Sequence, residues 1–249
     1  ALWKPPGWTV SVQEAVVGGR RAAEQEEWAG SDTALGRPLQ TWLEEQLGSR
    51  CPIVRSERLA HGIVHRLDRQ TSGPVLCSKT YQGFYGSKLQ FAARRVRKVY
   101  LCVCHGWFAK ARLPWPLDAP LRLDRSGGGA RSVVAEEGDR ARSVVHAVTH
   151  LRCPAGRPFS LVEIELHTGR YHQVRAQLCH EGHPLAGDAL YGGETPAWCP
   201  RVFLHLHLLG VADVDGEAPL DVVCPLPQDL RVALAQLAPA GATARGARA

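Results

Sequence analysis

Two stretches of this chain alternate apolar and polar residues with a period of two, and that pattern restricts the fold more than any other feature. Lys98 to Cys104 sets Val99, Leu101 and Val103 on one face and Tyr100 on the other. Residues 159–167 repeat the pattern, turning Val162, Ile164 and Leu166 toward a core, and residues 143–151 also read as a strand. Further strands fit Pro-Val-Leu-Cys-Ser after Gly73 and residues 201–210. Helical spacing is less frequent. Leu39, Trp42, Leu43 and Leu47 follow Pro38 and stop at Gly48. A second helix fits 81–95, weakened by Gly83 and Gly86, and a third fits about 170–181, closed by Gly182. Residues 3–10 read as a turn-rich entry to a strand, 11–37 as polar loop with one weak helix, and 111–130 as Pro- and Gly-rich loop. Strands outnumber helices without alternating regularly with them. The expected class is α+β, a largely antiparallel sheet flanked by helices and loops.

The 249 residues set a soft expectation of one or two domains, and 45% hydrophobic with 22% charged residues is a globular composition. No apolar run approaches the roughly 18 residues that a membrane helix needs. The charge is +6, and 25 of the 30 cations are arginine. Arginine suits bidentate phosphate contact and stacking on bases, so the bias favours a nucleic-acid partner; GC-rich coding produces the same bias. Eight cysteines at 51, 77, 102, 104, 153, 179, 199 and 224 form no C-x-x-C knuckle and read as small buried hydrophobes of a reducing compartment. The absence of Met suggests a mature or excised part of a longer chain. Among 11 histidines, the pairs His180/His183, His205/His207 and His167/His172 lack a carboxylate or cysteine at structural-zinc spacing, so no metal is expected. Neither a G-x-S-x-G elbow nor a Walker or G-x-G-x-x-G loop is present.

Two segments carry chemistry. In His65-Arg66-Leu67-Asp68-Arg69-Gln70-Thr71-Ser72-Gly73, Asp68 sits between two arginines, with Thr-Ser-Gly reading as a tight turn. Neighbouring cations favour the carboxylate form, suited to a nucleophile or a stabiliser of positive charge and not to a general acid. A surface ion pair in a turn uses the same letters. In Leu166-His167-Thr168-Gly169-Arg170-Tyr171-His172-Gln173-Val174-Arg175, the glycine lets a strand pass into a helix whose first turn presents free N–H groups and several cations.

These segments, with Gly187-Asp188-x-Leu190-Tyr191-Gly192, the opening Lys4-Pro5-Pro6-Gly7 and Lys98-Val99-Tyr100, closely resemble the RluA-type pseudouridine synthases, in the family's order from residue 3 to about 210. The resemblance implies the pseudouridine synthase catalytic fold over residues 1–240, an active-site cleft across its sheet, and a low-complexity tail at 241–249. It implies a cofactor-free RNA isomerase in which Asp68 attacks the uridine while the base is detached, turned and rejoined through carbon. Tyr100 would pack on the flipped base and help remove the C5 proton, and Arg175 would pair with the catalytic carboxylate. Arg66 would fill the gap left by the extruded nucleotide, with Arg69, Lys98, Arg170 and His172 as further RNA contacts. The implied partner is structured RNA, ribosomal or transfer, ribosomal particles included; an RNA-binding or ribosome-assembly protein with the same fold and little catalysis is the alternative. The chain departs from the family's usual letters at Trp3 (Asn), Gln70 (acidic), Tyr171 (Thr) and Gln177 (His).

Overall fold

The computed structural model describes residues 1–10, 38–108, 113–126, 129–212 and 219–241. The expected loop at 11–37, parts of the one at 111–130 and the tail at 242–249 lie outside them. No described helix is long and apolar enough to cross a membrane. The chain divides into two compact units, Ala1–Lys98 with Leu123–Arg131 and Leu206–Cys224, and Val99–Arg122 with Ser132–His205 and Pro225–Ala249.

In the first unit β1 (Leu2–Lys4) pairs antiparallel with β2 (Gly73–Val75), Lys4 facing Gly73. Helix α1 (Leu39–Leu47) buries Leu39 and Leu43, the stripe its spacing predicts, and ends at Gly48. Two 3₁₀ turns, Pro52–Arg55 and Glu57–Gly62, lead to the Asp68 segment. Helix α2 (Tyr81–Ala92) starts where the Thr80 hydroxyl accepts from the Gly83 amide at 3.1 Å, and it buries only Phe84 and Ser87.

The principal sheet draws on β3 (Arg97–His105), β4 (Trp115–Leu117), β7 (Ser143–Arg152), β8 (Pro158–Leu166), β9 (Leu204–Val211), β10 (Leu220–Val223) and β11 (Ala238–Pro239). Its order is β10-β9-β3-β8-β7-β11, with β4 also on β7; β5 (Leu121–Asp124) and β6 (Arg131–Val134) form a separate pair. The pairings β10–β9, β3–β8, β8–β7, β7–β4 and β7–β11 are all antiparallel, in line with the largely antiparallel sheet expected. The expectation for β3 needs one amendment. Tyr100, Cys102 and Cys104 are as buried as Val99 and Val103, so this strand is covered on both faces. The 111–130 region also differs from the loop expected, since β4 and β5 form in it; Pro116 is tolerated because β4 is a short flanking strand.

In the second unit helix α3 (Gln173–His180) follows the turn after Gly169, and helix α4 (Gln228–Ala235) sets Leu230 and Ala233 into a core with Val103, Leu151, Phe159 and Phe203.

Candidate active site

The segment carrying Asp68 is tied down on three sides within the first unit. Lys4 is fully buried, and its ammonium donates to the carbonyls of Pro5 (3.0 Å), Arg69 (3.1 Å) and Thr71 (2.7 Å). Carbonyl dipoles thus receive a buried charge that would otherwise be too costly to desolvate. The Gly7 amide donates to the same Arg69 carbonyl at 2.8 Å, and Arg69 Nε returns a bond to the Gly7 carbonyl at 3.3 Å. The Lys-Pro-Pro-Gly opening and the Asp68 turn are therefore one structural piece.

The turn closes by the Thr71 amide bonding the Asp68 carbonyl at 3.0 Å, which puts Arg69 and Gln70 at its corner. Thr-Ser-Gly, expected to form the turn, instead leads into β2. Ser72 accepts the Leu206 amide at 2.8 Å, and Gly73 sits at φ +141° where a Cβ would lie 2.6 Å from the Leu206 side chain and carbonyl. Only glycine permits that approach.

Upstream, His65 Nε2 accepts the Leu76 amide at 3.0 Å, and the ring stacks on Phe91 with centroids 4.9 Å apart. Burial, reinforced by the Lys98 charge, pushes its pKa down to about 3, so the ring stays neutral and keeps its acceptor. Asp68, Arg66 and Arg69 are half-buried at the end of this braced segment, and Lys98 is half-buried at the start of β3.

The second unit holds the other sequence-predicted residues. Residues 173–178 of α3 are all buried, so its polar side chains must find partners inside the protein. Arg175 makes a two-pronged pair with the fully buried Asp188, Nε to Oδ2 at 2.7 Å and Nη2 to Oδ1 at 2.8 Å. Its Nη1 donates to His172 Nε2 at 2.7 Å. A guanidinium only donates, so the His172 proton is on Nδ1, which faces the Tyr191 hydroxyl at 3.2 Å. That hydroxyl accepts from the Ser132 amide at 2.9 Å and donates to the Ser132 carbonyl at 3.1 Å. The Arg175 guanidinium also lies 5.0 Å from the Tyr191 ring centroid. Gly187 presents Asp188 from φ +79°, where a Cβ would come within 2.3 Å of the Arg201 carbonyl.

Both departures from the family's letters on α3 and its lead-in have a defined place. Tyr171 stacks on His172 at 3.8 Å between centroids and 19° between planes, while His172 itself adopts φ +50° at the helix start. Gln177 accepts from the Ser143 hydroxyl at 2.7 Å and donates toward the carbonyls of Leu117, Ala119 and Ala141 at 3.1–3.3 Å. Gln173 adds bonds to the Arg142 carbonyl and the Ser143 hydroxyl. Two amide side chains thus fix α3 to the start of β7.

Tyr100 is buried on β3 opposite Ile164 of β8. Arg170 is exposed, donating to the Arg140 carbonyl at 3.2 Å and pairing with Asp139 at 3.2 Å. The structure therefore joins His172 and Arg175 in one network. It adds Lys4, His65, Asp188 and Tyr191, which stand in the recognisable motifs but whose roles sequence reasoning did not supply.

Comparison with known proteins adds a second line. A family model described as RNA pseudouridylate synthase matches residues 4–180. A protein of Chloroflexus aurantiacus named an uncharacterized RNA pseudouridine synthase is 34% identical over 206 residues, covering 82% of this chain and 62% of that one. The ribosomal large subunit pseudouridine synthase D of Xylella fastidiosa is 32% identical over 196 residues, covering 71% and 54%. This chain therefore spans about three fifths or less of the length of these relatives. Among solved structures, human RNA pseudouridylate synthase domain containing 1 superposes with a TM-score of 0.61 at 25% identity, covering 74% of this chain and 78% of that one. The α+β class and the largely antiparallel sheet agree with it.

Proposed function

The chain belongs to the RNA pseudouridylate synthase family, and we propose that it isomerises specific uridines of structured RNA to pseudouridine with Asp68 as the catalytic carboxylate. The observation that supports this most is the family match over residues 4–180, which contains Asp68, Tyr100 and Arg175 in the family's order.

The reaction breaks the bond from C1′ to N1, joins C1′ to C5, removes a proton from C5 and returns one to N1. The target atoms are out of reach in a stacked helix, so the uridine is extruded, at a cost of a few kcal/mol. In this reading Arg66 takes the vacated place in the stack and Arg69, Lys98 and Arg170 hold the RNA, while His172, buried with both ring nitrogens bonded, positions Arg175. Asp68 attacks the extruded nucleotide, Arg175 keeps its carboxylate ionised, and Tyr100 packs on the base and assists loss of the C5 proton. The braced turn supports the assignment because a nucleophile held by fixed neighbours is already oriented when substrate arrives.

The name of the Xylella relative makes large-subunit ribosomal RNA the first substrate to test, with transfer RNA second. Carbodiimide labelling and primer extension on unmodified RNA incubated with the protein would map any converted uridine. A discrete stop supports the isomerase. RNA binding with no conversion at any position would favour a synthase-fold RNA-binding or assembly protein.

A further inference from the structure

Helix α2 presents a stripe of two tyrosines and a leucine to solvent, with exposed cations before, on and after it. Tyr81, Tyr85 and Leu89 are 50%, 57% and 70% exposed. They recur at every fourth position, so they lie along one face, and a rise of 1.5 Å per residue spaces them about 6 Å apart along the axis. The opposite face, with Phe84 and Ser87, is the part that is buried. Exposed Lys79 precedes the helix, exposed Lys88 lies on it, and exposed Arg94, Arg95 and Arg97 follow it.

From Arg69 to Leu117 the chain has nine lysines and arginines and no aspartate or glutamate. Helix-end electrostatics accounts for Arg94 and Arg95 beside the last turn, and Lys88 lies 5.6 Å from the Phe84 ring centroid, but neither accounts for Lys79. Aromatic planes interleaved with cations, without acids, are the chemistry that holds a single-stranded nucleic acid: bases stack on the rings while phosphates take the charges. An apolar protein partner would use Leu89 and the tyrosines but would gain nothing from the cations.

We propose that the outer face of α2 docks a single-stranded segment of RNA, Tyr81 and Tyr85 stacking on its bases and the surrounding cations contacting its phosphates. The proposal rests on the reading that this chain acts on RNA and adds a surface for the sequence flanking the target. All the side chains are on the surface, so their replacement leaves the fold intact.

The test is fluorescence anisotropy with a labelled dodecamer of uridylate, using the full chain. Tyr81→Leu/Tyr85→Leu should weaken binding about tenfold or more, the loss expected for two stacked bases. Tyr81→Phe/Tyr85→Phe should bind within about twofold of wild type, because the ring and not the hydroxyl carries the contact. Arg94→Gln/Arg95→Gln should lower the slope of log affinity against log salt by about 1–2. Wild-type affinity in the leucine variant, or an unchanged salt slope in the glutamine variant, overturns the proposal. If the protein converts a uridine and the leucine variant leaves both binding and KM unchanged, docking falls and the isomerase stands. If no uridine is converted but the tyrosine and arginine effects hold, docking stands and the isomerase falls.

Discussion

The Lys4 ammonium lies 2.7 Å from the Thr71 carbonyl, with the residue fully buried, and this bond ties the opening of the chain to the turn that carries Asp68. Lys4→Met should keep the side-chain volume while leaving that carbonyl without its donor. The expected loss of stability is about 1–3 kcal/mol. Turnover should fall by more than the unfolded fraction explains, because the Asp68 turn loosens. Urea unfolding read beside single-turnover rates checks both; wild-type rates in a destabilised Lys4→Met would detach this bond from catalysis.

His65 gives the protein an acid sensitivity. Its native pKa is pushed down to about 3, against an ordinary value near 6.5, chiefly by burial. The unfolded chain therefore takes up the proton first. The contribution is fully present above about pH 6.5 and is lost progressively as the pH falls toward 3. At pH 5 the loss amounts to about 2 kcal/mol, at about 1.4 kcal/mol per unit. His65→Gln keeps an acceptor for the Leu76 amide but cannot titrate, so its stability should vary less than wild type between pH 7 and pH 5. Parallel curves for the two proteins would remove His65 as the source.

Asp188 depends on Arg175. Arg175→Ala strands a buried carboxylate and should cost about 3–5 kcal/mol. Replacing both partners by apolar residues, Arg175→Met/Asp188→Leu, should recover most of that stability. Turnover should remain absent in the double variant, since Arg175 is also assigned to the catalytic carboxylate. A double variant that is both stable and active would confine Arg175 to a structural role.

The close approach at Gly73 allows no side chain. Gly73→Ala puts a Cβ 2.6 Å from the Leu206 backbone and side chain at a positive φ. The clash and the backbone strain together should destabilise the protein by about 2–4 kcal/mol. Thermal unfolding decides it, and an unchanged midpoint would show that the segment can shift freely.

What the sequence disclosed followed from periodicity and from motif order. The two-residue alternation found β3 and β8, and the stripe of Leu39 and Leu43 found α1, because a buried face leaves a regular trace. Strands β4 and β5 were hidden by Pro114, Pro116 and Pro120, which read as loop although a flanking strand accommodates them. The even burial of Tyr100, Cys102 and Cys104 depends on what covers the second face of β3, which no local pattern records. Lys4 was equally hidden. A lysine in sequence reads as solvated, and only the assembled turn shows three carbonyls receiving its ammonium. Asp188 was visible as a motif letter, but its bond to Arg175 depends on the tight passage of Gly187 past Arg201.

The most direct measurement is release of tritium from RNA labelled at C5 of uridine, comparing wild type with Asp68→Asn under single-turnover conditions. Asp68 as the nucleophile predicts tritium release and a mapped pseudouridine for wild type. For Asp68→Asn it predicts no release above background, with RNA affinity within a few fold. Release by Asp68→Asn at the wild-type rate would contradict the assignment.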